Sequence, residues 1–349
     1  MKMNVKKKKA IAIAAAACAV VSLSAADVAA AKVKDDIFDI TWSTKTKYEW
    51  VESDEMKNKT EVKTLITARP DPETMFGMQL KFKQSNNNDK LTESNKITLE
   101  DVWLERKISD TFTARVGSMP LSIGPGLWMD GDGLAGLGAT WKPDQSNTFY
   151  VVAGKDSQED TVKTIKSVSP VYGDPSKPDK VTGTKLNYVT EGSTSIFQAV
   201  AWDHEYTKGN YGLYVGRQDV SKYRGAFASY ALTNNLVFTT EYVKNIGVKY
   251  NGKNTTSKVA ELKLGKTKKV GDTQYVATYL DSDPGVFVSA DYTAWDDNYN
   301  EETGFKGIGA TINHRISKST VLQLEHFWGE FKATGDSWQN TGIKITAKF

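Results

Sequence analysis

From residue 38 to its last residue the chain alternates apolar and polar side chains in segments of roughly ten residues, and it holds no apolar run long enough to cross a bilayer as a helix. The first segment is the clearest. Phe38, Ile40, Trp42, Thr44, Thr46, Tyr48 and Trp50 share one face of an extended strand, and Asp39, Thr41, Ser43, Lys45, Lys47 and Glu49 share the other. A later one repeats it, with Phe76, Met78, Leu80 and Phe82 opposite Gly77, Gln79, Lys81 and Lys83. Aromatic residues close both ends of the apolar face in the first segment, where side chains at the two lipid–water interfaces of a membrane strand would sit.

Short turns and long polar stretches separate these segments. Lys107 to Asp110, Leu232 to Asn235 and Arg315 to Lys318 each place one or two Ser, Asn or Asp residues between alternating runs, and the prolines of Arg69 to Glu73 end pairing in another turn. The long stretches are 84–95, 156–193, 245–255 and 281–303. Short connections on one side and long ones on the other are the pattern of an outer-membrane barrel. A chain with both ends in the periplasm needs an even number of strands. The segments predict sixteen, near 38–50, 61–70, 74–84, 96–107, 111–119, 134–142, 147–155, 194–204, 210–218, 222–232, 235–245, 256–265, 272–280, 304–315, 319–330 and 341–349. Thr184 to Thr190 and Val286 to Trp295 are strand-like but would break the alternation of turns and loops, so they are expected within outer loops. The predicted fold is all-β, a transmembrane antiparallel β-barrel, with fourteen and eighteen strands as the neighbouring even counts.

The N-terminus carries an export signal. Lys2 and Lys6 to Lys9 precede a small-residue and apolar run from Ala10 to Leu23, and Ala29-Ala30-Ala31 offers a cleavage site before Lys32. The expected domains are therefore a signal peptide, 1–31, and a barrel domain, 32–349. Cleavage after Ala31 removes Cys18, the sole cysteine, and with it any disulfide or thiolate metal site. It also removes five of the 45 basic and one of the 42 acidic residues, so the mature chain is close to neutral and nothing points to nucleic acid or to a polybasic membrane segment. With 9 Trp, 15 Tyr and 13 Phe but no membrane-length helix, the composition suits strands that show only every second residue to lipid. At the other end Ile343, Ile345, Ala347 and Phe349 form one face of a last strand that finishes on an aromatic residue. Such an ending resembles the signal read by the bacterial barrel-assembly machinery, which makes Phe349 a candidate assembly determinant.

Three further segments carry a family resemblance. Arg115 to Gly133 (RVGSMPLSIGPGLWMDGDG) resembles the region around the third outer loop of general porins, and the hairpins 311–325 and 264–279 are similar to porin hairpins. The nearest match is to the major porins of diderm anaerobes. Many of those carry an N-terminal S-layer-homology domain, whereas here the barrel is expected to begin within a few residues of Lys32. The resemblance implies a water-filled channel for passive diffusion of small hydrophilic solutes and ions, in the outer membrane of a diderm bacterium, assembled as a homotrimer and in contact with outer-membrane lipid. The alternatives are a channel selective for anions or sugars, and a structural or adhesive barrel.

In such a protein the site is the narrowest part of the lumen, where radius and lining charge set selectivity. General porins fold the third loop inward and set its acids against basic wall residues. The third outer loop here runs from Pro120 to Gly133, so Asp130 and Asp132 are the expected acidic side of the constriction. Lys45, Lys63, Lys81 and Arg115, on polar faces of early strands, are the expected basic wall. Trp103 and Trp128 are the candidates for an aromatic sugar track. No enzyme, cofactor or metal is expected. His204, His314 and His326 show no metal-binding spacing, no phosphate-cradling or dinucleotide fingerprint occurs, and Asn313-His314 near Ser317 is the one cluster that could imitate a catalytic pair.

Overall fold

The computed structural model describes residues 38–51, 56–87, 90–91, 96–156, 163–172, 181–190, 196–218, 221–287 and 303–348. Ala31 and Phe349 lie outside them. Nineteen strands are present among these residues: β1 (Phe38–Val51), β2 (Met56–Asp71), β3 (Thr74–Asn87), β4 (Lys90–Leu91), β5 (Lys96–Lys107), β6 (Phe112–Ile123), β7 (Met129–Trp141), β8 (Asn147–Asp156), β9 (Lys163–Tyr172), β10 (Val181–Thr190), β11 (Ile196–Tyr206), β12 (Gly209–Gln218), β13 (Ser221–Thr233), β14 (Leu236–Tyr250), β15 (Lys253–Gly265), β16 (Thr273–Ser282), β17 (Phe305–Arg315), β18 (Thr320–Glu330) and β19 (Ser337–Lys348). Sixteen of them close a barrel. β1, β2 and β3 pair in sequence, β3 pairs with β5, β5 to β8 follow in order, β8 pairs with β11, and β11 to β19 return to β1 through antiparallel neighbours. Closure leaves no free sheet edge, the condition for a sheet to survive in lipid.

The register explains why the alternation is so regular. Phe76 opposes Leu104, Leu104 opposes Val116, and Val116 opposes Leu137, so one apolar row runs across four strands. Exposed large apolar residues such as Ile97, Leu137, Val200, Leu213, Leu262 and Ile308 stand on this outward face. Aromatic pairs gather at its short-turn end: Trp141 with Phe149 at 5.2 Å, Trp202 with Tyr211 at 5.7 Å, and Tyr206 with Tyr230 at 6.3 Å between ring centroids. This is the aromatic girdle of a membrane barrel.

The turns are built by the side chains that marked them in the sequence. Asp71 accepts the N–H groups of Glu73 and Thr74 at 2.9 and 2.8 Å. Ser317 does the same for Ser319 and Thr320 at 3.2 and 3.0 Å. In the β7–β8 turn, Asp144 accepts from the Asn147 side chain and from the backbone of Ser146 and Asn147. Those bonds, the side-chain one first, hold its carboxyl below the usual carboxylate range.

The opposite end carries the larger connections. Between β8 and β11, β9 and β10 form a hairpin of their own, which places Thr184 to Thr190 in a loop as the parity argument required. β9 then lies parallel to the end of β14 through Ser167 with Lys249 and Val168 with Tyr250. The expected long loop 245–255 is instead an extension of β14 and β15, closed by a two-residue turn. Asn251 and Gly252 both adopt positive φ, 50° and 75°, as a tight hairpin turn requires. Of the strand-like piece Val286 to Trp295, residues 286–287 are described and belong to the loop after β16.

Candidate pore constriction

The β6–β7 hairpin does not stand up from the rim. Its register runs through Leu121–Gly131, Ser122–Asp130 and Ile123–Met129, and its tip reaches the inward face of β14. There the Leu127 N–H donates to Oε2 of Glu241 at 2.8 Å, while the Tyr214 hydroxyl donates to Oε1 at 2.5 Å. Glu241 is 1% exposed, so both of its oxygens are satisfied in a dry site. At the base of the hairpin, buried Asp101 accepts the Gly133 N–H at 2.9 Å. The third loop is thus tied to the barrel on both sides of the space it crosses.

Apolar packing supplies most of the attachment. The Trp128 ring sits 4.7 Å from Tyr223, 5.1 Å from Tyr214 in a stacked arrangement, and 5.4 Å from Phe197. Gly216 on β12 leaves the space it needs, because a Cβ there would fall 2.0 Å from the indole. Leu127, Met129 and Ile123 join the same buried cluster with Val243, Val259, Leu280 and the loop residues Val286 and Phe287. The inward faces of β11 to β16 are therefore apolar where the loop covers them. Below the tip, Gly124 and Pro125 share a cavity of about 480 Å³ with Asn210, Ser229, Thr239, Glu261 and Lys263.

The other half of the wall is charged. Lys63 and Lys81 oppose each other in register, and both reach Glu100, at 3.2 and 2.5 Å. Lys81 also lies 3.6 Å from Glu61, and Gln79 donates to Glu100 at 2.9 Å. Arg115 meets Glu105 at 2.5 Å and lies over the Trp103 ring at 5.8 Å. Lys47 and Glu325 bridge the closing seam at 2.9 Å. Glu100 comes inward through a bulge. Gln79 pairs with Asp101 and Leu80 with Leu99, so Glu100 is the extra residue and both adjacent acids are buried.

The sequence-predicted residues divide accordingly. Lys63, Lys81 and Arg115 stand together on the inward wall, paired with wall carboxylates. Lys45 shares that face, in register with Glu61 and Thr346. Asp130 is exposed and forms no ion pair among the described residues, and the side chain of Asp132 is outside the described set. Trp103 and Trp128 are both buried, so neither lines an open track. Glu61, Glu100, Glu105 and Glu241 are site residues the sequence reading missed. His314 bonds Thr273 Oγ1 at 2.9 Å, which occupies the histidine of the one catalytic-looking cluster.

No family model and no curated protein matches this chain. Solved structures do. A triple mutant of the porin of Rhodopseudomonas blastica superposes with a TM-score of 0.55 at 10% identity, over 90% of this chain and 100% of the other. A second mutant of that porin gives 0.55 at 9% identity over the same shares. A structure described by the asymmetric conductivity of engineered proteins gives 0.54 at 10% identity over 89% of this chain and 100% of its own. This chain has the porin fold.

Proposed function

We propose that the protein is an outer-membrane porin, a water-filled channel through which small hydrophilic solutes and ions diffuse passively. The observation that carries this is the third loop folded into a sixteen-stranded barrel that is apolar outside and charged along one inner wall. A barrel of about sixteen strands is too wide for side chains to fill. The loop occupies the β11–β16 side, so solutes pass along the β1–β6 side, past Lys45, Lys63, Lys81 and Arg115, with Asp130 and Asp132 on the loop as the acidic edge of the passage. The protein acts as a channel and not as an enzyme, without cofactor or metal. Purified protein in planar bilayers should give stepwise conductance, and liposomes holding it should swell in small sugars. Folded protein with no conductance would point instead to a structural or adhesive barrel. Steep discrimination among solutes of equal size would point to a substrate-selective channel.

The same reading includes the biogenesis of the chain. Residues 1–31 are a signal peptide, and sequencing of the protein from outer-membrane fractions should begin at Lys32. A mature chain retaining Lys6 to Lys9 would overturn that. The barrel-assembly machinery reads the last strand, so deleting Phe349 should lower the yield of heat-modifiable barrel several-fold and leave export across the inner membrane intact. Unchanged assembly at both low and high expression would count against it. A homotrimer in the outer membrane of a diderm bacterium, and a closer kinship with the porins of diderm anaerobes, rest on the sequence resemblance.

A further inference from the structure

The outward face of the barrel is apolar, yet at the loop end of β12 to β14 it turns basic. Arg217 and Lys222 oppose each other in register, and two residues further along Arg224 opposes Lys244. Val215, an exposed outward residue, opposes Arg224, which puts the four cations on the lipid-facing side. Arg217, Lys222 and Arg224 are exposed and Lys244 is half-buried. None of the four side chains meets a carboxylate among the described residues. Lys258, on the next strand, has Asp281 at 3.1 Å, and Asp283 is taken by Thr256 and Lys332. Asp219, between β12 and β13 in sequence, is outside the described residues, and counting its charge still leaves three positive charges in excess.

Like charges directly opposite on neighbouring strands repel, so a patch of this kind is stabilised by an anion placed between them. Its position selects the anion. Below the cations on the same face lie Leu213, Ala226 and Tyr242. With that apolar surface against acyl chains, the cations would stand at the level of the headgroups. Arginine forks match phosphate oxygens, and lysines add charge without fixed geometry. We propose that Arg217, Lys222, Arg224 and Lys244 form a binding site for the phosphate groups of a lipid in the outer leaflet. In the linear sequence these residues are spread over twenty-eight positions and mixed with apolar ones, which is why no polybasic segment is visible there.

This inference rests on the proposed placement in an outer membrane, so the test is read only on preparations that show channel conductance and heat-modifiable migration. The folded barrel in detergent is mixed with a bis-phosphorylated glycolipid of the lipid A type, and bound lipid is counted by native mass spectrometry. The intact protein should retain the lipid. The variant R217Q/K222Q/R224Q/K244Q should retain at least tenfold less, and the pair variant K222Q/K244Q should show an intermediate loss if the fourfold variant does not assemble. The dephosphorylated glycolipid should not be retained by either. Changing Lys266, Lys268 and Lys269, basic residues of a turn at the opposite end, should leave retention intact. Equal retention by the patch variants, or equal retention of the dephosphorylated lipid, would overturn the proposal. So would displacement by an equal concentration of inorganic pyrophosphate, which would make the patch a site for soluble anions.

Discussion

Deleting Ile123 to Gly131 should raise the single-channel conductance by roughly twofold or more, because the loop fills the part of the lumen that sixteen strands would otherwise leave to water. The geometry says why the loop stays where it is. Trp128 lies among Phe197, Tyr214 and Tyr223, and the Leu127 N–H is held by Glu241. Truncating a buried Trp to Ala costs about 3–5 kcal/mol. Trp128→Ala should therefore loosen the tip without removing it, and the expected record is a noisier open level with frequent visits to the larger conductance. Wild-type conductance in a folded deletion variant would show that the loop does not narrow the path that ions take.

Glu100→Gln should move the zero-current potential under a salt gradient toward anion preference. This carboxylate contacts two lysines at once, Lys63 and Lys81, and replacing it by a neutral isostere removes one negative charge from between them on the passage wall. Two charges several ångströms apart in a narrow, wet lumen interact by about 1–4 kcal/mol, depending on the effective dielectric. That range corresponds to a several-fold change in permeability ratio at least, larger in dilute than in concentrated salt. The double variant D130N/D132N should shift the potential in the same direction by less, since exposed Asp130 is not paired with the wall lysines. If the loop pair dominated and Glu100→Gln had no effect, the passage would run beside the loop and away from β2 to β5.

What could be read from the sequence, and what could not, follows from the range of each interaction. Strand positions depend on a period of two, which is local, and the structure starts and ends its sixteen membrane strands close to where alternation does. Turns depend on Ser, Asp and Pro within four residues and were equally legible. The hairpin at Asn251-Gly252 also had a local signal, since that dipeptide favours the positive φ pair of a tight turn, but the polar residues around it read as a loop. Glu100 was missed because a single bulge shifts the alternation by one residue between Leu99 and Val102 in the run KITLEDVWLERK, and a plain period of two does not put both Glu100 and Asp101 on one face. The docking of Trp128 was out of reach for a different reason. Its three aromatic neighbours come from β11, β12 and β13, and the glycine that makes room for it is on β12, so the site exists only once the barrel has curved them together.

The seam between β1 and β19 joins Ser43 to Lys348, nearly the two extremes of the described chain. A ribosome or a translocon delivers those two residues about three hundred positions apart, so the barrel cannot be sealed before β19 has been made. Until the last strand arrives, β1 and β18 each present an unpaired row of peptide groups, a ready template for strands of other chains. The entropy of joining such distant residues must be met before the final ladder forms, which makes closure a late and slow event. Chains that lose their C-terminal strand should therefore accumulate as open sheets that aggregate, not as smaller pores, and a carrier that shields both edges through that interval is a requirement of the topology itself.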